Sequence, residues 1–136
     1  MKFSVEYLIR FQHCDPAGIV FYPRYYELFC QVVEDWFEQA LDWGFGKLSR
    51  EQRGGIPLVH TSCDFLKPSR LGDRMSFDLG VAHIGTSSFS VDIVGRLGDE
   101  IRVKVRLVMA YVSTGADMRK QAIPDALRAA MERYRA

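Results

Sequence analysis

The stretch Phe11-Gln12-His13-Cys14-Asp15-Pro16-Ala17-Gly18-Ile19-Val20-Phe21-Tyr22-Pro23-Arg24-Tyr25 joins two different periodicities. Upstream, Phe3, Val5, Tyr7, Ile9 and Phe11 alternate with polar residues and only Leu8 breaks the rhythm, the period of a strand with one buried face. Within the stretch, Asp15, Pro16 and Gly18 occupy the first, second and fourth places that a type I turn prefers. A short apolar run, Ile19 to Tyr22, follows. Pro23 reads as the first residue of a helix, where its missing N–H costs nothing. From Arg24 to about Asp42 the apolar residues fall in adjacent pairs one turn apart: Tyr25/Tyr26, Leu28/Phe29, Val32/Val33, Trp36/Phe37 and Ala40/Leu41. A stripe that wide exceeds the ~100° of an ordinary surface helix. It predicts a helix wrapped by something concave, and Gly44 reads as its stop.

Lys47 to Gly55 reads as a polar loop. Four strand-like segments follow, roughly Pro57–Leu66, Arg74–Ala82, Ser88–Arg96 and Glu100–Val112, separated by turn-rich Lys67-Pro68-Ser69-Arg70, Gly85-Thr86-Ser87 and Leu97-Gly98-Asp99. The last segment is the clearest, with Ile101, Val103, Val105, Leu107, Met109 and Tyr111 on one face. Pro124 to about Tyr134 reads as a short closing helix. Three hairpin-length connections in a row require antiparallel pairing. The expectation is one α+β domain over residues 1–136, an antiparallel sheet curled around one long helix.

A chain of 136 residues can bury roughly two-thirds of its unfolded surface and needs no disulfide or metal to build a core. Lys plus Arg exceeds Asp plus Glu by one (18 against 17), which points to neither nucleic acid nor a membrane surface as partner. Cys14, Cys30 and Cys63 are odd in number and hold no C-x-x-C pair, so neither a zinc cage nor a disulfide framework is suggested. A reducing cytoplasm is the natural compartment. No stretch is apolar for long enough to span a bilayer.

Turn chemistry alone explains Asp15. A second reading stands beside it, because the turn leads into a helix N-terminus, where free N–H groups stabilise developing negative charge. Pro23 has none, which leaves the amides of Tyr22, Arg24 and Tyr25. A carboxylate upstream of such a site makes a hydrolytic pair: the amide polarises a carbonyl, and Asp15 attacks it or activates water. The other candidates are weaker. A Cys14–His13 thiol pair would need the turn to bend opposite faces together. His60 and His83 have no metal-spaced partner and read as hydrogen-bonded structural histidines. Trp36 and Trp43 read as core or pocket lining. Arg102, Lys104 and Arg106 share one strand face, about 6.8 Å apart; a solvated outer face is the expectation, with the phosphates of a ligand as the alternative partner for them and for Lys67 and Arg70.

The run Asp15-Pro16-Ala17-Gly18-Ile19-Val20-Phe21-Tyr22-Pro23 resembles the Asp-x-x-Gly motif of the 4-hydroxybenzoyl-CoA thioesterase family, which has the hotdog fold. The likeness extends to about Val112 and includes the Gly85-Thr86-Ser87-Ser88-Phe89 hairpin. The resemblance implies an acyl-CoA thioesterase that needs no metal or redox cofactor and assembles as a homodimer or homotetramer. Asp15 matches the catalytic Asp, as nucleophile or general base. Tyr22 matches the residue whose backbone N–H polarises the thioester carbonyl. Gly18, Phe21, Pro23, Phe45, Pro57, Leu58, Val59, Thr86 and Ser87 are expected to contact substrate. Three departures stand out. His13 sits where many relatives carry an acid and is expected to be a solvated loop residue. Cys30 occupies the helix position at which aromatic-specific relatives hold a ring hydroxyl with an acid. The Gly85–Ser88 turn has no Lys or Arg. The competing readings are a hotdog dehydratase acting on 3-hydroxyacyl thioesters, which would need a His base, and a non-catalytic acyl-thioester-binding module.

Overall fold

The computed structural model describes all residues, 1–136. Strand β1 (Phe3–Leu8) leads through a 3-10 turn (Phe11–His13) to helix α1 (Tyr22–Trp36), which runs on as a π-helical turn over Phe37–Leu41. Then come α2 (Phe45–Arg50), β2 (Gly54–Gly55), β3 (Leu58–Phe65), β4 (Arg74–Ile84), β5 (Ser88–Leu97), β6 (Glu100–Ala110), β7 (Val112–Ser113) and α3 (Asp125–Glu132). Five strands form one antiparallel sheet in the order β1-β4-β5-β6-β3. The sheet curls around α1, the hotdog arrangement. No helix is long and apolar enough to cross a membrane.

The core forms where the wide helix stripe meets the inward faces of the strands. Leu28, Phe29, Val32 and Trp36 of α1 are essentially inaccessible, as are Phe77 and Leu79 of β4, Val91 and Ile93 of β5 and Val103 of β6. The rings of Phe29 and Phe77 meet edge-on with centroids 6.4 Å apart. Val103, Val105, Leu107 and Met109 alternate inward as their spacing predicts, but Ile101 at the start of β6 stays exposed.

Several boundaries differ from the sequence reading, each for a local reason. β1 ends at Leu8, and Phe11 is 84% exposed instead of buried. The Arg10 amide donates to His13 Nδ1 at 2.8 Å, so a side chain offers the backbone an alternative to the sheet ladder. Tyr22, not Pro23, is the first helical residue. Gly44 does not stop the helix. Asp42 does, in the left-handed region at φ 59°, with the Trp43 amide reaching back to the Phe37 carbonyl at 3.0 Å. Gly44 instead precedes α2, which takes up the first part of the expected Lys47–Gly55 loop, through Arg50. That segment looks polar because only Phe45, packed on Phe37, and buried Leu48 turn inward, three residues apart.

Candidate functional site

The Asp15 loop is a tight hairpin closed by backbone pairing. Phe21 N–H donates to the His13 carbonyl at 2.9 Å, Asp15 N–H to Ile19 at 3.0 Å, and Gly18 N–H to Asp15 at 2.9 Å, which completes the expected turn. Gly18 has φ +79°; a Cβ there would meet nothing within 4 Å, so the dihedral, not space, requires glycine. Asp15 is half-buried. Its Oδ1 accepts the Ala17 amide at 2.9 Å, while Oδ2 has no partner within the chain.

The loop is fixed from outside as well. Val20 N–H donates to the Ser69 carbonyl at 2.9 Å, and Leu71 N–H to Gly18 at 3.1 Å. Ser69 is fully buried, and its hydroxyl accepts from Tyr25 of α1 at 2.8 Å. Arg102, whose side chain is 13% exposed, donates to the Pro68 carbonyl at 2.7 Å and pairs with Asp73 and Glu100. Helix, turn and sheet therefore hold the carboxylate loop in one place.

At the helix start, Arg24 N–H is taken by the Phe21 carbonyl at 2.8 Å, while the Tyr22 amide takes part in no turn, cap or side-chain hydrogen bond. A dipole-aligned donor thus remains at the end of the loop that carries Asp15. Of the other acids on α1, Asp35 accepts from the Tyr7 hydroxyl and Glu27 pairs with Arg24, while Glu34 points into solvent. His13 is a correction. It is buried, 7% exposed, rather than solvated, and burial followed by the nearby Arg10 and Arg24 charges lowers its pKa, so the neutral ring serves as the Arg10 acceptor. Burial, then the Asp15 and Asp73 charges, pushes the Cys14 thiol up and disfavours the thiolate that nucleophilic chemistry would require.

Phe45 and Leu58 meet in a cavity of about 500 Å³, counted to its open mouth, whose wall includes Tyr26, Phe29, Cys30 and Val33 of α1. Phe21 and Tyr22 are exposed at the start of α1, with the Tyr22 and Phe65 rings 6.3 Å apart. Pro57 and Val59 flank the cavity on exposed backbone without lining it. Thr86 and Ser87 are not brought to the Asp15 loop within one chain. They follow the far end of β4, whose 11 residues span roughly 35 Å. The hairpin they form is gripped by Arg128 of α3, which donates to the Gly85 carbonyl at 2.7 Å and the Thr86 carbonyl at 3.2 Å. The helix stripe announced the apolar wall; nothing in the sequence announced the Tyr25–Ser69 or Arg128 contacts.

His60 and His83 are exposed and make no side-chain hydrogen bond, against the expectation of structural histidines. The face carrying Arg102, Lys104 and Arg106 is not simply solvated. Arg106 pairs with Asp92 through two bonds of 2.7 and 2.8 Å, and Lys67 pairs with Glu100, leaving Lys104 and Arg70 as the unpaired cations of the set. Trp36 belongs to the core.

Comparison with known proteins extends this description. A 1,4-dihydroxy-2-naphthoyl-CoA hydrolase of Nostoc punctiforme is 27% identical over 126 residues, covering 92% of this chain and 83% of the relative. The protein of that name from Prochlorococcus marinus is 29% identical over 104 residues, covering 70% and 67%. Among solved structures, a 1,4-dihydroxy-2-naphthoyl-CoA thioesterase from Synechocystis superposes with a TM-score of 0.86 at 19% identity, over 96% of each chain. A gentisyl-coenzyme A thioesterase gives 0.83 at 20% identity, over 95% of this chain and 98% of that one. At such identities the superpositions establish the shared hotdog fold. The sequence model of the Thioesterase-like superfamily matches residues 9–131, nearly the whole length, and the chain belongs to that superfamily.

Proposed function

We propose that the chain hydrolyses acyl-CoA thioesters to a free acid and CoA, with Asp15 as the reacting carboxylate and the Tyr22 amide as the oxyanion donor. The observation that carries this reading is the pairing of a half-buried carboxylate, one oxygen unengaged, with an unbonded amide at the start of α1 on the same hydrogen-bonded loop. The names of the relatives, and the resemblance of the Asp15–Pro23 run to the motif of the 4-hydroxybenzoyl-CoA thioesterase family, support it.

Two routes use the same atoms. In one, Asp15 Oδ2 attacks the thioester carbon, the Tyr22 N–H holds the oxyanion, CoA thiolate leaves, and water cleaves the resulting anhydride. In the other, Asp15 takes a proton from water as the water oxygen attacks the same carbon, and the tetrahedral species held by the Tyr22 N–H collapses to the free acid with loss of CoA thiolate, which takes up the proton. General-base assistance contributes roughly 10²–10⁴-fold and one oxyanion donor roughly 10²–10³-fold. Gly18, Phe21 and Pro23 shape the approach to the carbonyl, and Phe45 and Leu58 meet the acyl group. Pro57, Val59, Thr86 and Ser87 are proposed to meet the substrate of a neighbouring copy, because in their own chain Pro57 and Val59 flank the cavity without lining it and Thr86 and Ser87 stand away from the Asp15 loop. This requires at least a homodimer. Edge strand β3 supports one, with Leu58, Val59 and Phe65 about half exposed. Three free cysteines accord with a cytoplasmic setting.

The dehydratase alternative needs a histidine base at the site. His60 and His83 are exposed and line no cavity, and the His13 Nδ1 is already an acceptor. Thiol release from a panel of aryl- and alkyl-CoA thioesters, run beside the conversion of 3-hydroxyacyl-CoA to enoyl-CoA, separates the readings. Thiol release without enoyl product is expected; enoyl product alone would refute hydrolysis.

A further inference from the structure

The cavity along α1 has a chemical bias that the thioesterase reading does not itself contain. The side chains that line it, from α1, α2, the start of β3 and β6, are all hydrophobic, Tyr26 and Cys30 of α1 among them. The side-chain hydrogen-bond donors among them are two. The Tyr26 hydroxyl is turned onto Thr61 Oγ1 at 3.2 Å. Its proton is committed there, since the Thr61 hydroxyl donates its own to the Arg106 carbonyl at 2.9 Å. That leaves the Cys30 thiol, a weak donor, as the strongest one on the wall.

Position along the helix ties this cavity to the proposed chemistry. Tyr22, Tyr26, Cys30 and Val33 share one face of α1. At 1.5 Å per residue, Tyr26 lies about 6 Å and Cys30 about 12 Å along the axis from Tyr22. An acyl group whose carbonyl meets the Tyr22 amide and which follows this face enters the cavity one turn on.

We infer that this site selects hydrocarbon acyl groups, aryl or alkyl, over the same groups carrying a hydroxyl at the end remote from the thioester. The inference rests on the thioesterase reading only for the direction in which the acyl group lies. A hydroxyl carried into the cavity gives up its water and meets only the Tyr26 oxygen, already engaged with Thr61, and the weak Cys30 thiol, so it is left poorly satisfied at a cost of roughly 1–3 kcal/mol, or about 5- to 150-fold in affinity. Selectivity of this kind is ground-state binding and appears in KM and Kd rather than kcat.

The test uses two matched pairs of CoA derivatives: 2-naphthoyl with 6-hydroxy-2-naphthoyl, and octanoyl with ω-hydroxyoctanoyl. Each is measured as the thioester for turnover and as the non-hydrolysable thioether for Kd. The hydrocarbon member of each pair is expected to bind at least about fivefold tighter. Equal binding, or preference for the hydroxylated member, overturns the inference whatever the turnover. Selective binding without any turnover leaves it standing and refutes the thioesterase reading instead. The exposed Cys30 supplies the location control. Cys30→Phe, checked for an unchanged melting temperature, is expected to weaken octanoyl thioether binding about tenfold or more; unchanged binding would mean that the acyl group lies elsewhere.

Discussion

At the scale of single residues, Asp15 and His13 divide the work of one short loop. Asp15 offers a carboxylate oxygen, and His13 sets the geometry of the chain before it by accepting the Arg10 amide. His13→Ala is expected to cost about 1 kcal/mol by stranding that amide and to lower thioesterase activity through loop disorder. His13→Asn, which keeps an acceptor, should recover most of both in a paired melt and assay. The pH dependence follows from the lowered His13 pKa. Its contribution is complete above the ordinary histidine value near 6.5 and is lost as pH falls through the lower folded value. An NMR titration giving His13 an ordinary or raised pKa would contradict this. The turn at Asp15 was legible in the sequence because Asp15, Pro16 and Gly18 hold its first, second and fourth places. His13 was misread because burial of a loop histidine depends on Leu28 and neighbouring α1 side chains that come near only when the chain folds.

At the scale of elements, α1 and the strands were readable because their apolar period is carried by many residues. The short elements were not. α2 turns only Phe45 and Leu48 inward, and the end of the long helix is set by the left-handed backbone of Asp42 rather than by Gly44. The apolar stripe foretold a wrapped helix, but not that Cys30 and Val33 would line a cavity while Val32 fills the core. Gly95 gives a test of how tightly β4, β5 and β6 close on the helix. A Cβ there would lie 2.7 Å from the Val103 side chain and 3.0 Å from Phe77. Gly95→Ala is expected to destabilise by about 1–3 kcal/mol in urea melts. A change within error would mean that the sheet has slack at its centre.

At the scale of the whole molecule, β3 is an edge whose residues are mostly exposed, and such an edge pairs with another chain unless covered. Light scattering is expected to give at least twice the monomer mass. Val59→Lys, a change at an exposed strand position, is expected to shift that mass toward the monomer and to lower turnover; a fully active monomer would refute a site shared between copies. Acid stability is a second global property. Asp78 binds Arg96 at 2.7 Å, and that bond, with help from Ser4, holds its carboxyl below the usual carboxylate value. Its contribution is complete above about pH 3.9 and is lost as pH falls through the lower folded value. Asp78→Asn should therefore melt lower than the native protein at pH 7, with the difference shrinking in strong acid. The sequence carried no sign of this pair, because Asp78 and Arg96 become neighbours only through the β4–β5 register.

The central claim is that the Asp15 carboxylate carries the reaction and does not merely shape the turn. The most direct measurement compares native protein and Asp15→Asn for thiol release under saturating acyl-CoA, alongside thioether binding by each. The asparagine keeps an oxygen for the Ala17 amide, so the loop should persist. The account predicts a loss in kcat of several hundred-fold or more, with Kd for the thioether unchanged or improved. Full activity in Asp15→Asn would contradict it.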